Sequence, residues 1–400
     1  MSPRTYLLAF GAFAVGTSGY IVSGVLPAVA GQLDVSIATA GQLGTAFAIA
    51  YAVASPLLAA FTGRWERRRL LVIALLVSAL GNALAMIAPS YELLLGTRVI
   101  AALGAAVYTP AATAVATVLN PPERRGRAVA AVFGGLTFAL IIGVPAGNLL
   151  SEPLGYHGVF ALVAAVSLAG ALAVRLGVPA VDAPPAVGLR ERFAVAADPR
   201  VRLMLGVTVL GVLAAMSSFT YVAPFLSASA GVDVHGGVVS LLLLGYGLGA
   251  TVGNSIGGRA TDRYGSMRPL FFSLGLALVA LATLPFTTTT VAGAAVVMFL
   301  WGLVTWAFNP PAQNFLIGLS PANGALLLSL NASAIYLGVG LSGVFGGFVV
   351  SGVGILALPP TAAVAGVGAL VLLFLVSRPV REPAAEQGGV DREVPELARS

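Results

Sequence analysis

The chain has 400 residues, of which 58% are hydrophobic and only 9% charged, with a formal net charge of +6. Soluble domains carry roughly a quarter charged residues, so a water-soluble fold could not cover this much apolar surface and an all-α membrane protein is expected. The 21 basic residues are all arginines and cysteine is absent, which excludes a phosphate-loop lysine, a pyridoxal Schiff base, thiol catalysis, disulfides and zinc–cysteine sites.

About 20 mostly apolar residues carry a helix across the hydrocarbon layer, and twelve such stretches follow one another. They cover 6–30, 39–62, 70–88, 93–118, 128–150, 159–178, 203–228, 237–260, 268–286, 291–315, 323–350 and 354–376. The first holds Tyr20 and ends in Ala28-Val29-Ala30, which with Arg4 looks like a cleaved signal peptide. It is nevertheless long enough to span, and removing it would break the repeat described below. Asp34 follows at the outer mouth, and the turn after the second span carries Thr62-Gly63-Arg64 and Arg69. Arg98 lies inside the fourth span, about 9 Å along the helix from Glu92. An intramembrane charge of this kind points to coupling or gating; the plainer alternative is a head group that snorkels to the outer surface. The same span continues to Tyr108.

The fifth span contains Gly135 and then Gly143-x-Pro145-x-Gly147, a combination that allows close backbone approach and a bend. Gly155-Tyr156-His157 precedes the sixth. A segment rich in Pro, Ala and charge, 179–200, reads as a linker between an N-terminal bundle, 1–178, and a C-terminal bundle, 201–376; the mixed-charge tail 377–400 reads as disordered. The seventh span holds Ser217, Thr220 and Tyr221, and the eighth repeats Gly245, Gly249, Gly253 and Gly257 on one face, a small-residue surface suited to helix packing. Gly258-x-x-x-Asp262-Arg263-x-Gly265-x-x-Arg268 then forms the turn to the ninth span. An acid there can receive an arginine or the positive end of a neighbouring helix, a contact that would break when that side opens; the bland reading is a solvated turn. Trp301, Trp306, Asn309, Gln313, Asn331 and Tyr336 complete the polar and aromatic residues within spans.

Corresponding features recur about 200 residues apart: Thr62-Gly63-Arg64 matches Thr261-Asp262-Arg263, and Pro110 and Pro121 match Pro310 and Pro321. The fold class is therefore twelve transmembrane helices in two pseudo-symmetric six-helix bundles, an arrangement that carriers use to alternate access to a site between the halves. Placing the N-terminus inside leaves 20 of the 21 arginines in cytoplasmic segments, whereas Asp34, Glu92, Glu152 and Asp233 face outward. That asymmetry predicts a multi-pass protein of a bacterial inner membrane with both termini cytoplasmic. Scattered arginines make no stripe for nucleic acid. The two histidines, His157 and His235, lie in different segments, so no metal or other cofactor is expected.

Several of these motifs resemble the major facilitator superfamily, and within it the drug:proton antiporter branch that includes arabinose-efflux-like and chloramphenicol-resistance-like permeases. The resemblance covers about 6–376. It rests on Gly16-Thr17-Ser18 leading to Gly24-x-Leu26-Pro27, Arg98 with Ala102-Leu103-Gly104, Pro122-Glu123-Arg124-x-Gly126-Arg127-Ala128, the Gly143–Gly147 motif and the 258–268 turn. It implies the major facilitator fold, alternating access, proton-coupled efflux, and a cavity lined by helices 1, 4, 7 and 10. On that reading Arg98, Gly143, Pro145, Gly147, Gly258, Asp262, Arg263 and Arg268 gate or couple. The expected cavity residues are Tyr20, Tyr108, Thr220, Tyr221, Trp301, Trp306, Asn309, Asn331 and Tyr336.

Three positions depart from the pattern. Gly19 stands where many relatives have an acid, Gly63 where the first-half turn usually has Asp, and Gly155-Tyr156-His157 where Gly-Trp-Arg is common. No carboxylate lies well inside any span, so the remaining proton-carrier candidates are Asp34, His157 and Asp262. The missing acid also argues against a preference for cations. The expected activity is export of a small neutral or weakly polar drug, sugar or metabolite by a monomer in the bilayer, with protons as the counter-substrate. Import or facilitated diffusion is the alternative, and a non-transporting sensor is the reading from another class. No enzyme is expected, because no paired acids or nucleophile with an attendant base lie at membrane depth.

Overall fold

In a computed structural model of the protein, residues 2–121, 124–182, 194–232 and 237–378 are described. Half of the expected linker (183–193) and nearly all of the expected tail (379–400), together with Pro122, Glu123, Asp233 and His235, lie outside the described residues. Hydrocarbon offers the backbone no hydrogen-bonding partner, so each apolar stretch satisfies its own N–H and C=O groups as helix. The elements are α1 (Arg4–Gln32), α2 (Ile37–Phe61), α3 (Arg67–Met86), α4 (Tyr91–Val118), α5 (Arg125–Phe138), α6 (Val144–Gly177) and α7 (Pro199–Thr220). They continue with α8 (Val222–Ala230), α9 (Gly237–Tyr264), α10 (Met267–Thr287), α11 (Val291–Trp306), α12 (Asn309–Leu319), α13 (Gly324–Gly352) and α14 (Leu358–Ser377).

Eleven helical stretches among the described residues are long and apolar enough to cross a membrane, and one of them, Arg125–Gly177, has 53 residues. A straight helix of that length would run to about 80 Å, far beyond a bilayer core of about 30 Å. It folds back at Gly155, whose φ of 62° and ψ of 177° break the helical path. Packing against α1 shows the reversal. Gly135 meets Ala9, Gly147 meets Ile21 and Gly155 meets Gln32, after which Gly170 meets Gly11 and Gly177 meets Leu7. The chain therefore crosses twelve times, in two six-helix halves, α1–α6 and α7–α14. Both described chain ends lie on one face, called terminal here; the opposite face is distal.

Proline decides where crossings bend. Pro145 lacks the N–H that would bond to Ile141, and the helix widens into a π-turn over Ala139–Gly143, with the Val144 N–H reaching back to the Ala139 carbonyl. The seventh crossing, expected to be continuous, breaks at Tyr221 because Pro224 has no N–H for the Thr220 carbonyl. The tenth breaks at Ala307–Phe308 ahead of Pro310 and Pro311. Pro110, a single proline, leaves α4 unbroken.

Lipid-facing and packed surfaces are both apolar. On α9, Leu241, Leu248, Val252 and Ile256 are exposed, whereas Gly249, Gly253 and Gly257 bring its backbone against Phe299, Leu303 and Ala307 on the neighbouring crossing. Gly245, the first of that series, has nothing within 4 Å of its Cβ position. Each half is held by such close pairs, α1 with α6 and α3 with α4 and α6 in the first, α9 with α11 and α7 with α13 in the second.

Candidate functional site: a recess between the halves

The halves meet along two seams, α2 against α13 and α9 against the π-turn region. On the first seam Tyr221 is fully buried, its hydroxyl donating to the Gly343 carbonyl at 3.1 Å and lying 3.4 Å from the Ala38 carbonyl. It occupies a socket that only glycines permit: a Cβ at Gly41 or Gly346 would collide with its ring or hydroxyl. Gln42 Nε2 donates to Gly343 O at 3.0 Å beside it. Deeper along this seam Tyr51 and Tyr336 stack at 3.5 Å between ring centroids. On the second seam Ser240 Oγ donates to Asn148 Oδ1 at 2.9 Å, and a Cβ at Gly247 would lie 2.7 Å from Ile141 Cα. All of these contacts run from mid-depth to the distal face. Toward the terminal face Asn254 and Ser255 of α9 stand exposed, and nothing lies within 4 Å of the Cβ positions of Gly126, Gly134 or Gly258.

Between the seams lie two adjoining recesses, each partly open to solvent, which share Tyr20, Met216 and Val339. Every lining side chain is uncharged. Polar groups come from Tyr20, Ser23, Thr45, Thr220, Ser273, Thr305, Trp306, Asn309 and Tyr336. Five of the nine expected cavity residues are thus brought together: Tyr20, Thr220, Trp306, Asn309 and Tyr336. The other four line neither recess. Tyr108 donates to Leu8 O at 3.0 Å, lodged where Gly11 leaves room. Tyr221 forms the distal seam, Trp301 packs on Tyr246 at 4.8 Å, and Asn331 accepts from Thr208 Oγ1 at 3.0 Å.

Arg98 does not snorkel. Its side chain is fully buried, with Nη1 donating to Asn82 Oδ1 at 3.1 Å and Nη2 to Ser18 O at 2.5 Å and Ser18 Oγ at 3.3 Å. The rings of Phe47 and Phe160 flank it at 5.2 and 5.0 Å. One arginine thereby ties α1, α3 and α4 together and packs against α2 and α6.

A Major Facilitator Superfamily profile matches residues 8–324 and, in a second overlapping match, 207–398. The chain belongs to this superfamily. The transporter is 34% identical over 346 residues to the MFS-type transporter YbcL of Bacillus subtilis, covering 86% of this chain and 88% of that one. A chloramphenicol resistance protein of Streptomyces lividans is 36% identical over 263 residues, 64% of this chain and 66% of that one. In fold it is similar to a bacterial homologue of the human lysosomal transporter Spinster, solved inward-facing and occupied, with TM-score 0.76, 19% identity, and coverage of 94% of this chain and 97% of that one.

None of the three proton-carrier candidates reaches the transporter's recess. Asp34, in the left-handed region at φ 50°, is exposed in the distal turn after α1. His157 is exposed just past the Gly155 reversal, with Nδ1 2.7 Å from Met86 O. Asp262, Arg263 and Arg268 are exposed at the terminal end of α9, and Asp262 has no ion pair among the described residues. Gly143 and Gly147 press against Thr17 and Ile21 of α1.

The turn before α3 holds a residue that the motif comparison passes over. Glu66 accepts from the N–H groups of Arg68 at 2.7 Å, Arg69 at 3.1 Å and Val181 at 3.1 Å, pinning the helix start to the beginning of the linker. Its position as the N-cap of the Arg67–Arg69 run was the available signal. Partial burial pushes its carboxyl up, but the three N–H donors outweigh that and hold it below the usual carboxylate range. A depressed folded pKa stabilises above the unfolded value and loses that contribution as pH falls through the folded one. Glu66→Gln is therefore expected to lower stability by about 1 kcal/mol at neutral pH, with the difference shrinking as the pH is taken below the usual carboxylate range and through the depressed folded value. Thermal midpoints of the two proteins across pH check this.

Proposed function

We propose that the transporter exports a small, uncharged or weakly polar organic compound by alternating access, in exchange for protons. The observation that carries this reading is the recess between the halves, lined wholly by uncharged aromatic, hydroxyl, amide and apolar groups. Such a lining suits an apolar body with a few hydrogen-bonding groups and, with no acid in it, leaves a cation's desolvation uncompensated. Arginines crowd the terminal face, and Asp34, Glu92 and Glu152 lie toward the distal one, which supports a cytoplasmic terminal face in a bacterial inner membrane. With the seams meeting from mid-depth to the distal face, the site is then reached from the cytoplasm. Transport follows when the N-terminal bundle, 1–178, and the C-terminal bundle, 201–376, rock about the recess.

The Streptomyces relative makes chloramphenicol the first compound to test. Cells overexpressing the transporter are expected to accumulate it several-fold less than a deletion strain, and an uncoupler should abolish the difference. Flux that is insensitive to the uncoupler and runs only downhill would replace antiport by facilitated diffusion, a second reading favoured by the absence of any buried carboxylate among the described residues. Asp262 belongs to the proposed terminal gate, unpaired while that face is open. Asp262→Asn should slow export several-fold at unchanged membrane levels, and full turnover would remove the residue from the gate.

A further inference from the structure

Arg98 is the one charged side chain buried among the described residues. Its hydrogen-bond partners, Ser18 and Asn82, are neutral. Arginine keeps its proton inside proteins, so a full positive charge stands in the first half with no acid beside it. The wall between this charge and the recess is one ring thick. Phe47, whose centroid is 5.2 Å from Arg98 Cζ, lines the recess, as does Gly19, the residue after Ser18.

A ligand atom resting on the far side of that ring would lie about 9 Å from the guanidinium, and at an effective dielectric constant near 20 a unit charge there gains or loses roughly twentyfold in affinity. The lining has no charge of its own to cancel this field. We propose that Arg98 is a specificity-determining residue whose field makes the recess a charge filter: it admits uncharged and acidic organic molecules and turns away organic cations. The proposal rests on the recess being where substrate sits.

A matched pair tests it, an aryl carboxylate and an aryl trimethylammonium of one size, titrated calorimetrically into the purified full-length protein in nanodiscs. A carboxylate holds its water far more tightly than a trimethylammonium, so the sign of the field is read from how the ratio of their affinities changes between wild type and Arg98→Gln. The ratio of carboxylate to cation affinity is expected to be at least a hundredfold higher in the wild type than in Arg98→Gln. Tighter binding of the cation in the wild type, no binding of the carboxylate, or a ratio unmoved in folded Arg98→Gln would each overturn the filter.

Gly19→Asp supplies a gain of function. A Cβ there would lie 3.1 Å from Phe47 Cε1, which a small tilt of the ring relieves, and the carboxylate would offset Arg98 at the recess wall. Cells carrying it should expel ethidium, which the wild type should not; wild-type ethidium export would sink the proposal. If the wild type leaves chloramphenicol untouched, the substrate reading above fails while the affinity ratio still decides the filter.

Discussion

Gly41→Val is expected to stop turnover while leaving the protein folded and inserted. Tyr221 closes the distal seam by entering a socket whose floor is the bare Cα of Gly41, and a Cβ there would overlap its hydroxyl. A valine cannot yield, because its branched side chain is stiff, and the ring cannot retreat without giving up its bonds to Gly343 and Ala38 on the two halves. The halves would then be held apart distally, and a carrier confined to one state moves nothing. The chain lacks cysteine, so a single Ser23→Cys in the recess reports access cleanly. Labelling by an impermeant thiol reagent from the distal side should rise at least tenfold in the Gly41→Val background, and export should fall to background. Unchanged labelling with normal export would show that the socket is not a gate.

Arg98→Ala carries the second large effect. It removes three hydrogen bonds and two cation–π contacts among α1, α2, α3, α4 and α6, and leaves a void between Phe47 and Phe160. Relief of an uncompensated buried charge offsets part of that loss, which leaves a net cost of about 3 kcal/mol. Lysine keeps the charge but not the planar fork that reaches Ser18 and Asn82 together, so Arg98→Lys should fall between wild type and alanine. Thermal midpoints in detergent should follow the order Arg, Lys, Ala, with export reduced at least tenfold in the last. Equal midpoints in all three would mean that the buried network holds nothing together.

Much of the architecture could be read before any coordinates. Twelve crossings follow from apolar run length, because hydrocarbon leaves helix as the available fold for such a run, and the 62–69 and 258–268 turns come out on one face as the repeat requires. The break at Ala307–Phe308 is marked in the sequence by Pro310, whereas the one at Tyr221 was less visible, although Pro224 is its cause. Site residues were legible only in part. Tyr20, Trp306 and Asn309 line the recess, whereas Tyr108 turns into its own bundle because Gly11, 97 positions earlier, leaves a hole for it.

Composition and the order of residues by themselves determined that this chain lives in lipid, how often it crosses, that its halves repeat, and that no acid sits at depth to carry a proton. Tertiary structure alone decided which polar side chains share a cavity, that Arg98 points inward to Ser18 and Asn82, and that Tyr221 seats against Gly41 and Gly346 on the distal seam instead of lining the recess. The reason is that a membrane helix is apolar on every side. Hydrophobic periodicity, which tells inside from outside in water, cannot distinguish a lipid-facing Leu241 from a recess-lining Leu274, and only the packing of one helix on another can.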